Sequence, residues 1–137
     1  MEDCNGTLTS AEPRLQLTKD PNEDKVDANQ YRKLIVSLRY ICHTRLDLAH
    51  SVGTMSRFMK KPKVSHLLGI KRILRCLKGT LDYDIFFPAT DEGKECKLVG
   101  YIDSSWCGDA KDKKSITGYV FMLGGAPVAW SSENSQL

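Results

Sequence analysis

The sequence lacks several patterns that would assign a chain to a class at once. No hydrophobic run approaches the roughly 20 residues that cross a bilayer, so we expect neither an integral membrane protein nor a membrane partner. The N-terminus has no basic region followed by an apolar stretch, and no secretory signal peptide is visible. There is no internal repeat and no glycine-rich phosphate loop. Isolated Ser, His, Asp and Cys residues do not indicate a Ser-His-Asp or Cys-His catalytic set.

Cysteine and charge exclude little more. The five cysteines are odd in number and widely spaced, without a Cys-x-x-Cys pair, and they are Cys4, Cys42, Cys76, Cys96 and Cys107. Such spacing predicts reduced thiols and no metal site. Twenty Lys or Arg against 17 Asp or Glu give a net charge of +3, too small an excess to identify a nucleic-acid binder by itself. An apolar fraction of 41% and a charged fraction of 27% are typical of a globular chain.

The first part of the chain changes from a leader to helices. Residues 1–28 are polar and predict an extended or loosely ordered leader, and residues 29–80 predict a helical region. Apolar residues at helical spacing start at Tyr31, and further helices are predicted over Asp47–Met59 and Ser65–Lys78. Pro62 would end the second helix and Gly79 the third.

Residues 81–137 follow a two-residue period that predicts a β-rich piece. The predicted strands are Asp84–Phe87, Lys97–Asp103, Thr117–Leu123 and Pro127–Ser131, and Gly124-Gly125 would form a tight turn. The expected fold is α+β, with about three helices before an antiparallel three-stranded meander made of the last three predicted strands. One face of such a meander needs a cover, and the chain stops just past the third strand, which suggests a domain cut short with exposed apolar surface.

Residues 31–132 resemble the end of a copia-type retrotransposon Pol polyprotein, where reverse transcriptase joins ribonuclease H. The residues that carry the resemblance lie in order along the chain. They are Tyr31-Arg32-Lys33-Leu34-Ile35, Thr44-Arg45-Leu46-Asp47-Leu48-Ala49, Ser56-Arg57-Phe58-Met59, Lys71-Arg72-Ile73-Leu74-Arg75, Leu77-Lys78-Gly79-Thr80, Leu98 to Asp109, Lys114 to Phe121 and Ala129-Trp130-Ser131-Ser132. The β piece would then be a truncated ribonuclease H-like meander.

The resemblance also implies which catalytic groups are missing. The family's ribonuclease H cleaves RNA in a hybrid with two Mg²⁺ ions about 4 Å apart, which several carboxylates hold. The resemblance places the first of these carboxylates at Asp103. The family's later Glu and Asp would lie beyond Leu137, and the Asp pair of its polymerase would lie upstream of this sequence. We therefore expect no catalytic residue, no cofactor and no metal, with Asp103 as a vestigial metal carboxylate and Mg²⁺ used in the parent family only.

Two interpretations compete for the third predicted helix. Lys71, Arg72, Arg75 and Lys78 form a basic stripe that could contact phosphates, although a solvated helix face explains them equally well. Arg72-Ile73-Leu74-Arg75 also matches the Arg-x-Leu-Arg motif of secreted oomycete effectors, which act inside plant cells and often suppress cell death. The chain as a whole resembles downy-mildew effectors of this class.

Three hypotheses follow. The chain is a non-catalytic, Pol-derived effector, secreted and directed to the host cell, with an unknown host protein as partner. Alternatively, it is an inert intracellular remnant of a retrotransposon. As a third hypothesis, it is a nuclease or nucleic-acid-binding module. The single carboxylate argues against the nuclease and leaves weak, non-specific nucleic-acid binding open.

Overall fold

A computed structural model describes residues 5–11, 22–89, 96–105 and 114–136. The chain divides into two compact units, which we call the helical unit (Met1–Tyr83) and the sheet unit (Asp84–Leu137). Three helices followed by a three-stranded antiparallel sheet confirm the predicted α+β class. No helix among the described residues is long and apolar enough to cross a membrane.

Helix α1 spans Ala28–Ile41 and begins where Asp27 caps it. The carboxylate of Asp27 accepts a hydrogen bond from the backbone N–H of Asn29 at 2.8 Å, which satisfies one of the free donors of the first turn. Its buried face carries Tyr31, whose hydroxyl donates to the carbonyl oxygen of Met55 in the next helix at 2.9 Å. Burial also raises the pKa of Tyr31.

Helices α2 (Leu46–Ser56) and α3 (Val64–Gly79) pack with α1 around one core. The apolar stripes predicted from the three-to-four-residue period all contribute to it, because each helix buries its one apolar face. The buried core residues are Tyr31, Ile35, Leu38, Leu48, Val52, Met55, Ile70, Ile73 and Cys76.

Residues 23–27, directly before α1, reach the start of α3. The backbone N–H of Val26 donates to the carbonyl of Pro62 at 3.2 Å, and Lys25 forms a β-bridge with Lys63. The carboxylate of Glu23 accepts hydrogen bonds from the backbone N–H and the hydroxyl of Ser65. A negative group at this point stabilises the N-terminus of α3.

The sheet unit is a meander of β1 (Leu98–Ser105), β2 (Lys114–Leu123) and β3 (Ala126–Gln136) in the order β1-β2-β3. Gly124 and Gly125 connect the last two strands with φ of 59° and 89°. Positive φ at both turn residues is what a two-residue hairpin needs, which confirms the predicted tight turn.

Apolar side chains of the sheet are largely exposed. Ile102 is 76% exposed, Leu98 63% and Tyr101 62%, and among the described sheet side chains only Ala126 is a buried hydrophobic residue. Leu98 and Ile102 share one face with Leu123 and Tyr119, whereas Tyr101 lies on the other. The expected exposed apolar surface is therefore present within the described part of the sheet.

Two boundary predictions are wrong. Residues Asp84–Phe87 do not form a strand, because a β-forming pattern becomes a strand only when a neighbouring strand supplies hydrogen bonds. Phe86 in this segment is 79% exposed. Helix α2 ends at Ser56 rather than Met59, since the N–H groups of Phe58 and Met59 donate to Met55 and Ser56 in tight turns.

A hydrogen-bond network around Arg45 joins the start of α2 to the end of α3. Its guanidinium donates to both carboxylate oxygens of Asp47, at 2.9 and 2.7 Å, and to the carbonyl and hydroxyl oxygens of Thr80, at 2.9 and 2.6 Å. Thr80 in turn donates to the carbonyl of Cys76 at 2.7 Å. The cation thus lies where the carbonyl groups at the end of α3 concentrate negative charge.

Asp47→Asn should destabilise the helical unit near neutral pH, by about 1 kcal/mol or less for a partly exposed ion pair. Hydrogen bonds from Arg45 hold the pKa of Asp47 below its ordinary value. The stabilisation is therefore complete above the pKa of the unfolded carboxyl, about 3.9, and is lost as the pH falls through the lower folded value.

Urea unfolding followed by helical circular dichroism, at pH 6 and pH 3, tests this dependence. The difference between the unmodified chain and the Asn variant should be present at pH 6 and shrink at pH 3. A difference that stays the same at both values would contradict the role assigned to the Asp47 carboxylate.

Candidate functional site

Positive charge is concentrated in the helical unit. Residues 22–83 contain thirteen Lys or Arg against five Asp or Glu, an excess of eight, whereas the whole chain has an excess of only three. The rest of the chain is therefore net negative. Eight of the thirteen cations are exposed, and they are Lys25, Arg32, Lys33, Arg39, Lys60, Lys61, Lys71 and Lys78. This separation of charge is invisible in the net value of +3.

Helix α3 presents the predicted basic stripe on the side away from the core. Ile70, Ile73 and Cys76 are buried, and Lys71 and Lys78, seven residues apart, are exposed on the opposite side of the same helix. The structure therefore places two of the four candidate phosphate contacts where a polyanion can reach them.

The other two candidates, Arg72 and Arg75, are half-buried, and a non-helical segment of the leader lies against them. We call this segment, residues 5–11, the N-terminal strap. The guanidinium of Arg72 donates from Nη2 to the hydroxyl oxygen of Thr9 at 2.9 Å. The backbone N–H of Thr7 donates to the carbonyl oxygen of Arg75 at 3.2 Å.

The strap lies against α3 and α2 at two further points. Gly6 meets Gly79 so closely that a Cβ added to Gly6 would lie 2.7 Å from the Cα of Gly79. At the other end, the hydroxyls of Ser10 and Ser51 are 2.7 Å apart, and Ser10 also donates to the carbonyl of Asp47 at 3.4 Å. Only glycine at position 6 permits this approach of two backbones.

The described contacts of the strap are polar and few. Each hydrogen bond contributes about 1 kcal/mol net, whereas fixing the backbone of each residue costs about 1–2 kcal/mol. Leu8, the large apolar residue of the strap, is 75% exposed and adds little burial. The Nε atom of Arg75 is buried without a hydrogen-bond partner in the part of the chain described. Within the described contacts, the strap is therefore held mainly by polar contacts rather than by apolar burial.

Sequence patterns did not reveal this strap. The leader has no periodic apolar residues, and the contacts join Thr9 to Arg72, 63 residues later. Gly79 was predicted as a helix stop and is the last residue of α3, but its second role, as a surface for Gly6, has no local signal.

The Arg-x-Leu-Arg tetrapeptide lies in the middle of α3. Ile73 is 1% exposed and belongs to the core, and Leu74 packs against that core. Arg72 and Arg75 make the contacts with the strap that are described above. A partner that recognised these four residues as an extended peptide would have to unwind α3 first.

Asp103, the candidate vestigial carboxylate, lies on β1 and is exposed. Its register partner on β2 is Gly118, and Gly118 pairs with Ser132 on β3. Glu133 lies one residue further and so on the opposite face of the sheet. Among the described residues, no group of three or more His, Cys, Asp or Glu side chains could hold a metal ion.

The environments of Cys42 and Cys76 suit packing better than chemistry. Burial, together with nearby Asp47, raises the pKa of Cys42 to about 11, and burial raises the pKa of Cys76. A thiol with a raised pKa is a poor nucleophile and metal ligand at neutral pH. Cys96 is exposed, and Cys4 and Cys107 lie outside the described residues.

Comparison with known proteins confirms the resemblance to retrotransposon Pol polyproteins. The chain is 36% identical over 128 residues to the retrovirus-related Pol polyprotein from transposon RE1 of Arabidopsis thaliana, covering 93% of this chain and 8% of the relative. It is 37% identical over 133 residues to the corresponding protein from transposon RE2, covering 95% and 9%. The chain thus spans less than a tenth of the length of these relatives.

A relative of a different kind confirms the second resemblance. The chain is 40% identical over 93 residues to secreted RxLR effector protein 161 of Plasmopara viticola, covering 68% of this chain and 63% of that protein. No family model matches the chain. No solved structure matches it either.

Proposed function

We propose that the chain is a non-catalytic segment of a copia-type Pol polyprotein, from the region that joins reverse transcriptase to ribonuclease H. We further propose that its helical unit binds nucleic acid weakly and without sequence preference. The observation that carries this proposal is the excess of eight positive charges over residues 22–83. The match to Pol polyproteins over most of the chain supports it.

Such binding needs no base-reading pocket. Lysine and arginine side chains that neutralise phosphates release condensed counterions, and that term does not depend on sequence. Lys71 and Lys78 are exposed on one helix, and Lys60 and Lys61 are exposed just before it. These positions favour contacts with a phosphate backbone over contacts inside a groove.

The absence of catalysis is proposed from the carboxylates. Two Mg²⁺ ions need several oxygen ligands, and Asp103 has glycine and serine as its cross-strand neighbours.

Replacing Lys71 and Lys78 together by glutamine should weaken binding of an RNA–DNA hybrid. The slope of log affinity against log salt is negative, and two lost phosphate contacts would make it shallower by about 1.8. Fluorescence anisotropy of a labelled hybrid across a salt series measures both values. Lys97→Gln is the matched control, because Lys97 is an exposed lysine of the sheet unit. Equal losses in the control and the double variant, or no binding by the unmodified chain, would contradict the proposal.

A hybrid incubated with the chain and Mg²⁺ should stay intact, and Asp103→Ala should leave that result unchanged. A gel assay that resolves cleaved RNA measures the outcome, with a bacterial ribonuclease H as the positive control. Mg²⁺-dependent cleavage that disappears in Asp103→Ala would show that Asp103 supports a working site and would end the non-catalytic proposal.

The second candidate function is a secreted effector that enters plant host cells and suppresses host cell death as a virulence factor. The 40% identity to the effector of Plasmopara viticola favours it. If it is correct, expression of the chain in leaf cells together with a cell-death inducer should reduce death, whereas a frameshifted transcript should not. Unchanged death with accumulated protein would contradict this activity for the inducer used.

A further inference from the structure

We propose that the N-terminal strap, residues 5–11, is a displaceable cover over Arg72 and Arg75 that weakens nucleic-acid binding while it is closed. The inference rests on the proposed function, because it adds regulation to the same basic face of α3.

The first argument is that the strap makes its hydrogen bonds to α3 at Arg72 and Arg75. Arg72 donates to Thr9, and the backbone N–H of Thr7 donates to the carbonyl of Arg75, so the strap crosses α3 at the two arginines. Lys71, beside Arg72, stays exposed. With the strap closed, the surface available to phosphates is therefore the lysine side of the stripe.

The second argument is that one donor of Arg75 is unsatisfied while the strap is closed. Nε of Arg75 is buried without a hydrogen-bond partner among the described residues. A phosphate would offer the Arg75 guanidinium a charged acceptor, and hydrogen bonds to charged acceptors are stronger than those to neutral ones. A polyanion therefore favours the open state.

The third argument is that the closed state depends on one close backbone contact. A Cβ on Gly6 would lie 2.7 Å from the Cα of Gly79, and a Cβ on Gly79 would lie 3.1 Å from the Cα of Gly6. Gly6→Val should therefore displace the strap, whereas a shift of a few tenths of an ångström accommodates Gly79→Ala, which should only loosen the strap from the other side. Neither residue contributes to the hydrophobic core, so both variants should keep the helical unit folded.

The experiment compares the full chain with Gly6→Val, Gly79→Ala and the control Leu8→Ala, whose side chain is 75% exposed on the strap. Phenylglyoxal labelling, mapped by mass spectrometry, reports the accessibility of Arg72 and Arg75 without nucleic acid. Anisotropy with an RNA–DNA hybrid reports affinity and salt slope. Helical circular dichroism confirms that each variant is folded.

We expect Gly6→Val to label faster at Arg72 and Arg75 and to bind the hybrid more tightly than the unmodified chain, and Gly79→Ala to change both in the same direction by less. Two added phosphate contacts would steepen the salt slope by about 1.8, an extra loss of about tenfold between about 50 and about 200 mM salt. Leu8→Ala should match the unmodified chain in both measurements.

Unchanged labelling in both glycine variants would overturn the inference, because the strap would not cover the arginines. Faster labelling with unchanged affinity and slope would overturn it as well, while binding by the unmodified chain would leave the proposed function standing. Faster labelling with no binding by any variant would overturn the proposed function and the inference together.

Discussion

The guanidinium of Arg45 fixes the geometry on which the basic face depends. It joins the first turn of α2, through Asp47, to the end of α3, through both oxygens of Thr80. Thr80 directly follows Gly79, the last residue of α3, whose backbone lies against Gly6. Asp47 also offers its carbonyl to Ser10. The Arg45 network thus lies beside both the end of α3 and one contact of the strap, although the energy of its ion pair is modest.

The distribution of charge matters more than its total. A net charge of +3 over 137 residues predicts little, yet residues 22–83 alone have an excess of eight positive charges. A polyanion responds to the local field within about a Debye length, 8–10 Å at ordinary salt, and so it responds to the helical unit rather than to the average. The half-burial of Arg72 and Arg75 limits direct phosphate contact with these two residues and leaves their charge in place.

The sequence predicted what local periodicity can encode. The apolar stripes of α1, α2 and α3, and the turn at Gly124-Gly125, follow from the position of side chains or from a φ that glycine adopts easily. The strand predicted at Asp84–Phe87 failed because strand formation needs a partner, which no local pattern supplies. Of the candidate site, the exposed Lys71 and Lys78 follow from helical spacing, whereas the strap over Arg72 and Arg75 does not, since its contacts join segments more than sixty residues apart.

The two proposed functions make different demands on the same four residues. Nucleic-acid binding uses Arg72 and Arg75 as the folded helix presents them and needs only the strap to move. Recognition of an extended Arg-x-Leu-Arg peptide would also need Ile73, 1% exposed, to leave the core. Withdrawing a buried isoleucine from a core costs about 2–5 kcal/mol when judged by truncation to alanine. Such a cost would reduce the population of the exposed peptide by at least tenfold, because 1.4 kcal/mol corresponds to about a factor of ten. The folded helix therefore favours a function in which the arginines act from the helix surface, and an effector activity of this chain would more readily use another part of it.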